Sequence, residues 1–116
     1  MDKAIGLLVE LGWEVGTIRL FDKEGYVYGF PSEVETDLLV KGDRVIVAEM
    51  AGALKRGDVI TARRKKEFYE MVKGEKVSDV IAITAFIGEG NEDKVLALAE
   101  SLGIKVVKPE GIKLLK

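Results

Sequence analysis

The sequence predicts an α/β fold, a mixed sheet flanked by helices in the order α-β-β-β-β-α-β-α-β. Three observations carry it. The front half has short strand-like runs separated by turn signals, Asp22-Lys23-Glu24-Gly25 and Gly42-Asp43. The back half alternates helical segments with a near-continuous apolar run over residues 77–86, as a strand buried on both faces requires. With 47% of its 116 residues apolar, the chain can bury one core, so a single domain over residues 1–116 is expected.

Taken in order, Asp2 caps a first helix whose apolar positions Ile5, Leu7, Leu8 and Leu11 follow helical spacing, and Gly12 stands where the helix would stop. Residues 13–21 read as a strand, residues 26–30 as its returning partner, broken by Pro31. Residues 34–41 and 44–50 form a second pair around Gly42-Asp43. Asp58 opens a long helix to about residue 72, with Ile60, Phe68, Met71 and Val72 as its buried stripe, and Tyr69 either in the core, as aromatic residues chiefly are, or stacked on a base. A strand over residues 77–86, a helix over 92–102 capped by Asn91, and a strand over 104–107 complete the chain.

Composition excludes whole classes of chemistry. Without cysteine or histidine there is no zinc site, thiol nucleophile, disulfide or imidazole acid-base pair. Catalysis would rest on carboxylates, lysines, tyrosines or a hard metal ion. The opening MDKAIGLLVELGWEV carries acids within its apolar stretch, which fits neither a signal peptide nor a membrane span, so a cytoplasmic protein is expected. Lysine and glutamate abound, glutamine is absent and Asn91 is the one asparagine, a bias that suits a hyperthermophile. The net charge of −2 hides an uneven distribution. Residues 1–54 hold ten acids and five bases, whereas residues 55–76 hold eight bases and four acids, so the middle helix is the basic element.

The segment TDLLVKGDRVIVAEMA places Asp37 and Glu49 on neighbouring strands, a pair that can share a divalent cation. Their relation depends on the turn. A two-residue turn at Gly42-Asp43 sets Asp37 against Ala48 and puts the acids on opposite faces; a three-residue connection sets Asp37 directly against Glu49, where like charges ask for a cation between them.

These residues resemble the PD-(D/E)XK nuclease superfamily: a helix, a hairpin, Asp37 on one strand, Glu49 after the apolar run VIVAEM on the next, then a basic helix and an apolar strand. Within it the chain is similar to small uncharacterised archaeal members and, more distantly, to archaeal Holliday junction resolvases, to about Val107. The resemblance implies a restriction-endonuclease-like core, hydrolysis of DNA phosphodiesters, Mg2+ or Mn2+ held by Asp37, Glu49 and the carbonyl of Met50, and a homodimer. Two positions depart from the family pattern. The motif lysine is Ala51, and the first helix offers only Asp2 or Glu10 for a further acid. The superfamily is known to move its lysine to other elements, and Lys55, Lys65 and Lys66 are the candidates, with Lys55 favoured because its loop would run past the metal site. The alternative is a nuclease fold without activity that binds nucleic acid or dimerises.

The run Arg63-Arg64-Lys65-Lys66 forms i,i+4 pairs from Arg63 to Glu67 and from Lys66 to Glu70, which leaves Lys55, Arg56, Arg64 and Lys73 for a phosphate backbone. Tyr26, Tyr28 and Phe30 present an aromatic face that suits a core, a dimer surface or nucleic acid. The glycines of FIGEGNEDK match neither dinucleotide nor P-loop spacing, so no nucleotide cofactor is expected.

Overall fold

Among the described residues, helical and extended periodicities resolve into eight regular elements and a closing turn. The computed structural model describes residues 2–88, 90 and 92–115, the Asp2 side chain excepted, so the caps expected at Asp2 and Asn91 lie outside the described residues. In chain order the elements are α1 (Asp2–Glu10), β1 (Glu14–Asp22), β2 (Ser32–Lys41), β3 (Arg44–Leu54), α2 (Arg56–Lys73), β4 (Asp79–Ile87), α3 (Glu92–Ser101) and β5 (Ile104–Val107), followed by the 3-10 turn Pro109–Leu114. The five strands lie in the order β1-β2-β3-β4-β5. They are antiparallel as far as β3 and parallel from β3 to β5, the mixed sheet flanked by helices that the sequence predicts.

One predicted strand is not there. Residues 26–30 form turns, and β1 pairs instead with β2. Gly25 and Gly29 sit at φ +70° and +87°, outside the extended region, and the Gly29 N–H closes back on the Gly25 carbonyl at 2.9 Å. The Val27 N–H, which a sheet ladder would need, goes to the buried Asp22 carboxylate at 2.7 Å. The alternation that suggested a strand turns Val27 inward, to pack with Val34, Phe68 and Leu20.

The sheet divides two cores. On one face Leu39, Ile46, Ala48, Ile81 and Ile83 pack with Ala4, Leu8, Trp13 and Ile112. On the other, Val47, Val80, Ala82 and Ile104 pack with Val59, Ala62, Val95 and Ala99 of α2 and α3. Trp13 ties the chain ends together: its indole N–H donates to the Leu115 carbonyl at 2.7 Å, and the Lys41 and Arg44 cations lie 5.7 and 4.9 Å from its ring centre.

The buried stripe of α2 also differs from the one expected. Val59, Ala62, Lys65, Phe68 and Tyr69 face inward, whereas Ile60, Met71 and Val72 are exposed. Phe68 and Tyr69 are in the core as predicted. The inward positions follow three- and four-residue steps from Val59, and a lysine in that series hides it from a purely apolar pattern. No helix among the described residues is long and apolar enough to cross a membrane.

Candidate functional site at the fork of two strands

A tight turn sets the register of β2 and β3. Gly42, at φ +63°, and Asp43 form a two-residue connection, so Lys41 pairs with Arg44 and Asp37 with Ala48. Of the two registers open in the sequence, this is the one that separates the acids; the three-residue connection with Asp37 facing Glu49 is overturned. Ala48 belongs to the core on the α1 side, and Asp37 shares its face by the pleat. Its Oδ1 accepts the Thr17 hydroxyl at 2.7 Å, from the residue paired with it on β1. Glu49, one step on, points to the opposite face, toward α2.

The strands part at this point. The β2–β3 ladder ends at Asp37 and Ala48; β2 continues to Ser32 paired with β1, and β3 continues to Leu54 paired with β4. Into the α2 side of this fork comes Lys65. Only 9% exposed, it brings its Nζ to 3.4 Å from Glu49 Oε1. Glu49 Oε2 is buried with no hydrogen-bond partner. Burial pushes the Glu49 carboxyl up; the charge and hydrogen bond of Lys65 pull it back, Asp58 and Asp37 add to the rise, and the net shift is upward.

The ammonium at the site is that of Lys65. Lys55, favoured from the sequence, is exposed and precedes α2, with its side chain against Gly88 and its N–H donating to Asp58 Oδ2 at 2.9 Å. Lys66 is taken by Glu70 at 3.0 Å, and Arg63 meets Glu67 at 3.5 Å, both as the i,i+4 spacing predicts. The signal for Lys65 was present: a lysine in step with Val59, Ala62 and Tyr69 on a helix that packs on a sheet calls for a buried carboxylate. Met50 pairs with Ile83, and its side chain packs on the α1 side. Ala51, two residues beyond Glu49, lies against the α2 side core.

The candidate phosphate contacts do not form one patch. Arg56 and Arg64 fall on one side of α2, eight residues apart, whereas Lys73 lies about half a turn round from Arg64 and some ~25 Å along the helix from Arg56. Arg64 donates to the Val27 carbonyl at 3.4 Å.

A family model for the PD-(D/E)XK nuclease superfamily matches residues 32–105, more than half of the chain. The chain belongs to this superfamily. No curated protein and no solved structure matches it. The matched span begins at β2 and takes in Asp37, Glu49, Ala51 and the whole of α2. PD-(D/E)XK nucleases generally use divalent metal ions. The donor set here fits a shared ion poorly. Glu49 Oε2 is an open acceptor, but Asp37 stands across the sheet with one oxygen engaged by Thr17, and no three acids among the described residues gather as a metal-holding group.

Proposed function

We propose that this chain is a nucleic-acid-binding PD-(D/E)XK domain that holds a phosphate backbone beside α2 without cleaving it. The pairing of Asp37 with Ala48 carries the reading, because it turns the two family carboxylates to opposite faces. Ala51 supports it, since an alanine offers nothing to a developing phosphorane charge. The Lys65 ammonium on Glu49 supports it again: an internal cation already occupies one oxygen that a metal would need. For binding, Lys55, Arg56 and Arg64 are exposed cations on or next to α2. That the nucleic acid is DNA, and that the chain acts as a cytoplasmic homodimer in an archaeal hyperthermophile, belong to the same proposal.

A second reading is metal-dependent hydrolysis with Lys65 as the relocated lysine, Mg2+ or Mn2+ being the ion that such a reaction would use. The 3.4 Å approach of Lys65 to Glu49 and the unpartnered Oε2 favour it. Lys65 would then steady negative charge on the phosphate, and Glu49 would orient the group beside it. One experiment separates the two. Purified protein is incubated with single-stranded, nicked and branched DNA in Mg2+ or Mn2+, and its affinity for each is measured across a salt series. Binding that weakens steeply with salt, with no cleavage, is the expected result. Cleavage that Asp37→Asn abolishes would replace the first reading with the second, and absence of binding at low salt would remove both.

A further inference from the structure

The loop between β1 and β2 holds three aromatic rings out in water while its backbone is pinned at several points. Phe30 is 60% exposed, Tyr28 41% and Tyr26 40%, and the rings of Tyr28 and Phe30 lie 6.4 Å apart at 30°. Loose structure does not explain the exposure. Asp22, 1% exposed, accepts the Val27 N–H; Val27, also 1% exposed, anchors the loop in the core with Phe68; the Gly29 N–H bonds the Gly25 carbonyl. At Gly25 a Cβ would lie 2.8 Å from the Phe30 nitrogen, so the turn closes tightly on the segment that carries the rings. The fold buries one valine and displays the aromatics around it.

On the side facing α2 the loop meets both a carboxylate and a guanidinium. The Tyr26 hydroxyl donates to Glu67 Oε1 at 2.9 Å, and the Arg64 guanidinium donates to the Val27 carbonyl, next to Tyr28, at 3.4 Å. Arg64 is exposed, and Lys65, which enters the fork, follows it on α2. Rigid aromatic faces beside a guanidinium fit unpaired nucleobases, which stack through their π faces, while the adjoining phosphates meet the cation. A base pair within a duplex has no free face to offer.

We infer that Tyr28 and Phe30 form a stacking platform for unpaired bases of a single-stranded nucleic acid, with Arg64 taking the neighbouring phosphate. The inference rests on the reading of this chain as a nucleic-acid binder and names the substrate class. Its test is fluorescence anisotropy of the full chain with a labelled oligo(dT) strand and with a labelled duplex of the same length, at low salt and without divalent metal. Each ring removed costs a stacked base, so Tyr28→Ala with Phe30→Ala is expected to weaken binding to the single strand at least about tenfold and to leave the duplex nearly unchanged. Tyr28→Phe with Phe30→Tyr is expected to retain binding, and a thermal melt verifies that each variant folds. Duplex binding with a single-strand affinity that the alanine pair does not alter overturns the platform and leaves the binding function standing. Failure of both DNAs to bind overturns the platform together with that function. A shift from dimer to monomer on the alanine substitutions, with DNA affinity unchanged, would assign the rings to a contact between copies instead.

Discussion

The Lys65 ammonium lies 3.4 Å from the Glu49 carboxylate, from a helix position that amphipathic spacing reserves for the core. Both side chains are mostly out of water, 11% and 18% exposed, so each partner is the other's main compensation for lost solvation. The pair also fixes where α2 sits over the fork, because a buried charge must keep its counter-ion.

Removing one partner should therefore cost more than removing both. Lys65→Met is expected to destabilise the protein by about 1–3 kcal/mol at pH 7, as the Glu49 carboxylate loses its cation. Lys65→Met combined with Glu49→Gln should recover most of that loss. Urea unfolding midpoints of the two variants and the parent decide it; a single variant as stable as the parent would mean that the pair is idle.

The upward shift of Glu49 has a definite sign in pH. A carboxyl whose folded pKa lies above its unfolded value keeps its proton in the native state while the unfolded chain loses it. Stability from this group is then fully present below the ordinary glutamate value of 4.5 and falls as pH rises through the raised folded pKa. In Glu49→Gln this decline should disappear. Thermal unfolding of both proteins between pH 4 and pH 7 should give curves whose difference changes with pH in that window; parallel curves would show that Glu49 titrates as an ordinary surface acid.

Ala51→Lys tests the register through chemistry. The new ammonium would project from the Glu49 face, two residues along the same strand, so it would restore the family's cation. Asp37 would still face the other way. The variant is expected to bind DNA at least as tightly as the parent and to cleave none of it with Mg2+ or Mn2+. Metal-dependent cleavage by Ala51→Lys, observed on an electrophoretic gel, would show that Asp37 reaches across the fork after all.

The sequence by itself determined the fold class, the basic character of α2, the missing motif lysine and the superfamily, because periodicity, charge and short motifs are local properties of the chain. It also limited the register of β2 and β3 to two choices, since the side-chain period of two allows Asp37 to meet either Ala48 or Glu49. Choosing between them fell to the tertiary structure, where the apolar sets Leu39, Ile46 and Ala48 on one face and Leu38 and Val47 on the other must each meet their own helix. The cation that meets Glu49 was hidden for a related reason. Lys55 is nearer in sequence to Glu49, but only the packing of Val59, Ala62 and Tyr69 against the sheet shows which lysine of α2 is carried to the fork. Residues 26–30 alternate as a strand would, yet they became a turn. The buried Asp22 took the Val27 N–H and two glycines adopted positive φ, interactions that exist only once the loop has closed on Phe68.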